Sequence, residues 1–286
     1  MDAERMAALV TASGIPVLMH FLFYPLLREK LRAKGLVRLN YRGEEVVTAG
    51  GLILVFTACA SLFLLLLYGF WQRAAWLDLR EGMALCGGML SMAFWGFLDD
   101  LGNEKQAKGI RGHFGVLWRE RRMTTGVWKV IGGGTTAVLA ASFLSSSVWT
   151  WILVSCLLAA SANLLNLFDL RPGRAIKVFW LIVLVCLASG EVAIWGVPVI
   201  AASVALFFPD ARGEIMLGDT GANALGFAAG YLLAACFSWQ GQLAMLALFL
   251  LLHALAEFVS FSMWIERVAW LDRLDRWGRQ PKQNRG

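Results

Sequence analysis

Three short stretches of this chain place acids and amides where apolar runs begin or end. Asn163-Leu164-Leu165-Asn166-Leu167-Phe168-Asp169 closes a long apolar run, and its spacing of three puts Asn163, Asn166 and Asp169 on one face of a helix. Phe97-Leu98-Asp99-Asp100 closes a second run, and Gly218-Asp219-Thr220-Gly221 opens a third. Lipid penalises each of these polar side chains, so they are expected to face protein or water. Gathered on one membrane side, Asp99, Asp100, Asp169 and Asp219 would form an oxygen-rich site of the kind that holds magnesium together with substrate phosphates. Gly218, Thr220 and Gly221 sit at a helix start, where free N–H groups and the positive dipole end attract anions and small residues let a phosphate approach. A hydrolase, a transferase or an ion pathway would each use such a cluster. Taken singly, Asp219 reads as an N-cap, Asp99 and Asp100 as a solvated helix end, and Asn163 and Asn166 as interhelical hydrogen-bonding residues. Those separate readings do not predict a shared membrane side and depth.

The elements that must position these residues are membrane helices. Of the 286 residues 58% are hydrophobic, and a mean hydropathy of +0.62 excludes an ordinary soluble domain. The net charge of +6 resides in short loops between apolar runs, where positive-inside bias accounts for it, so nucleic acid is not an expected partner. Cys59, Cys86, Cys156, Cys186 and Cys236 lie inside apolar runs without paired spacing, which indicates neither a disulfide framework nor a zinc site. The start, Met1-Asp2-Ala3-Glu4-Arg5, lacks the basic opening of a signal peptide, so the first apolar run is expected to be retained.

Hydropathy predicts an all-α polytopic bundle of about nine transmembrane helices, over residues 7–27, 50–70, 82–98, 126–143, 148–168, 178–189, 192–208, 219–237 and 243–265. One basic cluster, Arg28, Lys30, Arg32, Lys34, Arg38 and Arg42, follows the first run, and a second, Lys105, Lys108, Arg111, Arg119, Arg121 and Arg122, follows the third. Both loops are therefore expected in the cytoplasm, with the N-terminus outside and the C-terminus inside. All three acidic stretches then reach the cytoplasmic face. Residues 1–265 read as one transmembrane domain and 266–286 as a cytoplasmic tail. Over 264–279, Val268, Leu271, Leu274 and Trp277 recur at helical spacing among Arg267, Asp272, Arg273, Asp275 and Arg276, which predicts an amphipathic helix on the inner leaflet. His253 and Glu257 sit one turn apart in the last run and suit either buried packing or proton handling.

At the acidic stretches the sequence resembles the polyprenyl-phosphate N-acetylhexosamine-1-phosphate transferases, which include phospho-N-acetylmuramoyl-pentapeptide transferase and the undecaprenyl-phosphate GlcNAc-1-phosphate transferases. The resemblance covers about residues 40–265. Gly96-Phe97-Leu98-Asp99-Asp100 matches the family's G-x-x-D-D, and residues 163–169 match N-x-x-N-L-x-D. Met216-Leu217-Gly218-Asp219-Thr220-Gly221-Ala222 resembles F-x-G-D-x-G-S, and Thr48-Ala49-Gly50-Gly51-Leu52 resembles P-T-x-G-G-L with Val47 in place of proline. Lys129 matches a lysine that opens the family's fourth span.

The resemblance implies transfer of a sugar-1-phosphate from a UDP-sugar to a polyprenyl phosphate such as undecaprenyl phosphate, with release of UMP and Mg2+ as cofactor, in cell-envelope glycopolymer synthesis. It further implies Asp219 and Asp169 as magnesium ligands, and Asp99 or Asp100 positioning or deprotonating the lipid phosphate. Asn163, Asn166 and Asp169 would hold nucleotide and metal, and Lys129 a phosphate. The bilayer, the lipid carrier and the UDP-sugar are the expected partners, and a homodimer is allowed. Two departures concern the donor half of the site. Where the family continues D-G-x-D-G, this chain has Asp169-Leu170-Arg171-Pro172-Gly173, so Pro172 replaces the second acid, and the family's histidine-rich loop is missing. A catalytically inactive relative that binds the carrier or a partner, and an ion-coupled transporter, are the alternative readings. The basic loops give the first test: a reporter fused after Arg122 or at Gly286 should read cytoplasmic and one near Gln72 external, and an external Gly286 would refute the span count.

Overall fold

The computed structural model describes residues 3–40, 43–102, 125–190 and 193–279. The basic cluster at 105–122, Arg42, His113 and the last seven residues, 280–286, lie outside the described residues. Eleven α-helices are described: α1 (Ala3–Ala33), α2 (Gly51–Gln72), α3 (Leu79–Leu101), α4 (Thr125–Leu144), α5 (Val148–Phe168), α6 (Arg174–Ala188), α7 (Val197–Ala211), α8 (Gly218–Cys236), α9 (Trp239–Ala256), α10 (Phe261–Arg267) and α11 (Ala269–Arg276). Among the described residues seven are long and apolar enough to cross a membrane: α1 to α5, α9, and α7 together with the short 3-10 turn Ile194–Gly196 that leads into it. The chain is thus a helical membrane protein.

Two of the expected spans, α6 and α8, fall outside those seven for different reasons. α6 has 15 residues, about 23 Å of helix against a hydrocarbon core of about 30 Å. α8 opens with Gly218, Asp219, Thr220 and Gly221, yet it needs no lipid-facing apolar stripe, because every residue from Thr220 to Leu233 is buried. It is the axis of the bundle. α5 and α3 flank it most extensively, with α6 and α2 completing its wall.

Small residues let these helices approach. A Cβ added at Gly51 would strike the Gly221 backbone, and one at Gly226 or Gly230 would meet Ser161, Ala162 or Leu158 on α5. Close backbone approach is what packs helices where lipid removes the usual hydrophobic drive. α1 illustrates the other membrane constraint. Pro16 lacks the N–H that would bond the Ala12 carbonyl, and Ser61 Oγ of α2 donates to that carbonyl at 3.1 Å.

One loop is more ordered than the hydropathy reading anticipates. Residues 37–47 form an antiparallel hairpin, β1 (Val37–Leu39) with β2 (Glu45–Val47), in which Val37 pairs with Val47 and Leu39 with Glu45. Val47 continues into a parallel bridge with Ile215. From there Gly50 N donates to Met216 O at 2.8 Å and Gly51 N to Leu217 O at 2.9 Å, so the first N–H groups of α2 are satisfied by the strand-like entry to α8. Periodicity misses this because the hairpin strands are three residues long and carry no alternating pattern.

The last expected span, 243–265, ends early. α9 stops at Ala256, and the expected single tail helix is broken at Val268, whose φ of −101° and ψ of 105° are extended. The break lets Ser262 on α10 and Asp275 on α11 reach one guanidinium, Arg174, so a tertiary contact overrides the helical pattern. The five cysteines are free thiols.

Neighbouring glycines on α3 test the packing argument. A Cβ at Gly88 would collide with the Phe227 ring, whereas at Gly87 it meets nothing within 4 Å. Gly88→Ala should cost about 1–3 kcal/mol by overpacking, while Gly87→Ala should be neutral or gain about 0.5–1 kcal/mol from helix propensity. Thermal unfolding in detergent measures both, and equal behaviour of the pair would refute the packing of α8 against α3.

Candidate functional site

The three acidic stretches meet at one end of the bundle, where α3 and α5 finish and α2, α4 and α8 begin. Their geometry divides them into a buried carboxylate and an open cluster. Asp100, 5% exposed, turns away from the open side. Its Oδ1 accepts from Asp219 N at 3.2 Å, and its Oδ2 accepts from Thr220 N at 2.9 Å and Thr220 Oγ1 at 2.6 Å. Asp100 is therefore a helix cap supplied by a neighbouring helix, satisfying the orphan donors of α8 with a full negative charge at the positive dipole end. Gly218 makes room for it: its φ is +68°, and a Cβ there would stand 2.8 Å from Asp100 Oδ2. Asp169, at the C-cap of α5, lies beside Gly218 and close enough to Asp210, Asp219 and Asp100 to feel their charges.

These contacts correct the sequence reading at four positions. Two of the N–H groups at the start of α8, expected to cradle a phosphate, those of Asp219 and Thr220, are bonded to Asp100. Thr220 is wholly buried with its hydroxyl on Asp100, Gly218 admits that carboxylate, and Gly221 admits Gly51. Thr220, Gly221 and Asp100 are buried and build the site from behind, and half-buried Gly218 gives the Asp100 carboxylate its room.

The open cluster consists of Asp99, Asp219, Lys129 and Asn166. Lys129 Nζ on α4 pairs with Asp219 Oδ2 and lies 3.5 Å from Asp99 Oδ2. Thr125 Oγ1, one turn earlier, donates to Asp99 Oδ1 at 2.8 Å. The Asn166 amide, oriented by its hydrogen-bond partners, donates from Nδ2 to Asp219 Oδ1 at 2.9 Å and accepts from Lys129 Nζ at 2.9 Å. About a quarter of the Asp99 and Asp219 side chains is exposed, enough for a ligand to reach them. Asn163 is exposed and makes no hydrogen bond among the described residues.

Three further residues serve this end of the bundle. Asp210, 2% exposed, accepts from Gly173 N at 2.8 Å and Leu217 N at 3.1 Å, tying the segment after Asp169 to the segment before Gly218. It follows Pro209 at the close of an apolar run, the same signal that marked the other acids. Arg38, carried by β1, donates to the carbonyls of Asp100 and Gly102 at the C-terminus of α3. In sequence it is one arginine among six basic loop residues. Asp275 on α11 forms a bidentate pair with Arg174, both bonds at 2.9 Å, with both side chains buried. Burial raises the Asp275 pKa, but the Arg174 hydrogen bonds and the Arg279 and Arg174 charges outweigh it and hold the carboxyl below its ordinary range. Arg174 is thereby committed to the tail.

His253 Nδ1 contacts the Phe249 carbonyl within its own helix, 2.7 Å away, and its Nε2 is buried without a partner among the described residues. Neither a protein-family model nor a curated protein matches the chain. The open cluster has to be read from its own chemistry. A cation already bridges Asp99 and Asp219, and that cation is the Lys129 ammonium. Two partly exposed carboxylates beside an amide oxygen are also a donor set that suits Mg2+, which keeps several waters and takes one or two carboxylates.

Removing the ammonium tests this electrostatic reading. Lys129→Met leaves Asp99 and Asp219 without their shared counter-charge, so the melting temperature should fall by a few degrees, and millimolar Mg2+ should restore it more fully than it stabilises wild type. A variant as stable as wild type and indifferent to Mg2+ would remove the case for a cation site.

Proposed function

We propose that the chain is a magnesium-dependent membrane phosphotransferase that joins a sugar-1-phosphate from a UDP-sugar to a polyprenyl phosphate and releases UMP. The observation that carries this reading is the convergence of Asp99, Lys129, Asn166 and Asp219, from four different helices, on one partly open cluster at one end of the bundle. Each of the four lies in a stretch that resembles a motif of the polyprenyl-phosphate transferases. In this reading α1 to α9 are nine spans of a bacterial-type plasma membrane, the acidic end faces the cytoplasm, the N-terminus is outside, and residues 264–279 rest at the inner leaflet.

Asp219 and Asp99, with water and the amide oxygen of Asn166, would hold Mg2+, and Asp169 stands next to Asp219 as a further ligand. Bound there, Mg2+ neutralises charge on the donor pyrophosphate and on the departing UMP. The reaction needs a lipid-phosphate oxygen to form a bond to the sugar-bearing phosphorus as the phosphorus–oxygen bond to UMP breaks, the electron pair leaving with UMP. Lys129, displaced from between the carboxylates, is placed to bind a phosphate oxygen. Asp99 orients the incoming lipid phosphate, whose second pKa near 6 leaves little deprotonation to be done at neutral pH. Asn163, exposed on the same helix as Asn166, would meet the nucleotide. Asp100 keeps its cap throughout.

A second reading rests on an observation of its own. Two of the N–H groups at the start of α8 are occupied, and Pro172 replaces an acid in the donor segment, which together favour a non-catalytic relative that binds the carrier lipid alone. The acids lie at helix ends and not at mid-membrane, which disfavours a transporter.

One assay separates them. Purified protein incubated with Mg2+, undecaprenyl phosphate and a panel of UDP-sugars should release UMP with at least one donor, and Asp219→Asn and Asp99→Asn should each reduce release by about 10²-fold or more. Release of UMP at wild-type rates by the Asp219→Asn protein would end the assignment. Carrier binding without UMP from any donor would select the non-catalytic reading.

A further inference from the structure

The C-terminal segment 261–279 folds back onto the bundle. It touches the short segment 168–174, which carries Asp169, at four separate points. Phe261 stacks flat on Phe168, ring centroids 5.2 Å apart and planes within 6°. Glu266 pairs with Arg171 at 3.5 Å. Arg279 Nε donates to the Pro172 carbonyl at 3.0 Å. Arg174, 3% exposed, donates to both oxygens of Asp275 and, at 2.7 Å, to Ser262 Oγ. The segment is anchored in turn on the helices behind. Lys177 Nζ donates to the Asp275 carbonyl at 2.6 Å, and Trp277 stacks on buried Phe207 at 5.1 Å.

From this covered segment the contacts run onward into the cluster. Gly173 N donates to Asp210, whose other oxygen holds Leu217 N, and Asp169 lies beside Gly218. We infer that residues 261–279 form an intramolecular clasp that fixes Asp169 and the start of α8 in register, with Phe261, Asp275 and Arg174 as positioning residues. The physical grounds are the charge the segment carries. It is a connection of five residues between α5 and α6 that holds an acid beside other acids. Mutual repulsion favours its opening, which the Gly173 bond to Asp210 opposes at one end and the contacts of residues 261–279 oppose along its length. A buried bidentate arginine pair and two aromatic stacks are directional enough to impose it. The clasp covers the stretch where Pro172 stands in place of an acid, so contacts within the chain take over a position that would otherwise be left to a ligand. Only that last point rests on the transferase reading.

Amide hydrogen exchange on the full-length protein in detergent tests the clasp without requiring activity. In Phe261→Ala and Asp275→Ala, exchange at residues 169–173 and 217–220 should speed up by about tenfold or more, while the interiors of α2, α3 and α5 keep wild-type protection. Trp270→Ala, on the exposed face of α11, should change neither region. Phe261→Ala removes one stack and leaves no buried charge unpaired, so it retains the test if Asp275→Ala fails to fold. Unchanged exchange at 169–173 in Phe261→Ala, or acceleration spread evenly over all helices, would overturn the inference. Mn2+ affinity by electron paramagnetic resonance adds a positional readout: a severalfold loss in Phe261→Ala supports the positioning of Asp169, and wild-type affinity alongside faster exchange refutes it. A wild-type protein that binds no Mn2+ would refute the metal reading above, with the exchange data still deciding the clasp.

Discussion

The arrangement depends on one buried carboxylate. Asp100 lies at the end of α3 and caps the beginning of α8, accepting two backbone N–H groups and a hydroxyl there. A helix that starts deep among other helices leaves orphan donors with no water to meet them, and each would cost several kcal/mol in an apolar surrounding. One acid from a neighbouring helix removes that cost and fixes the two helices in register. The register is what brings Asp99, the next residue back, alongside Asp219. The adjacent acids are thus divided by one peptide step into a structural member and an open one, and neither could do the other's work.

Much of this was legible from residue type and place. Acids at the ends of apolar runs were expected together at one end of the bundle, and Asp99, Asp169, Asp219, Asn166 and Lys129 lie there. Helix ends for α2 to α5 fell within a few residues of the hydropathy reading, because lipid allows few alternatives to a long apolar helix. Direction was not legible. Asp99 and Asp100 are chemically identical in sequence, and which of them turns inward depends on the position of α8 across a span of more than a hundred residues. The glycines at 218 and 221 were read as space for a phosphate, and the space is filled by Asp100 and by Gly51. A small residue announces that something comes close without saying what.

The C-terminal segment was misread for a related reason. Its spacing fits one amphipathic helix, and local pattern carries no information about Arg174, some hundred residues earlier, which draws Ser262 and Asp275 to one point and breaks the helix between them. The interval between Asp169 and Gly173, where the resemblance to the transferases lapses, is the interval this segment covers. Pro172 is compatible with the cover because its carbonyl is what Arg279 bonds.

The enclosure of α8 also bears on how the protein reaches the membrane. Its opening turn is too polar to remain in hydrocarbon unaccompanied, and Asp100, which caps that turn, belongs to a helix made earlier in synthesis, as do Gly51, Ser161 and Ala162, against which α8 packs. When α8 emerges from the ribosome its socket has already been synthesised, whereas α9, which is more apolar and little buried, needs no such socket. Chain order therefore follows dependence: α8 enters among helices already made, and α9 then packs on α5 from the lipid side.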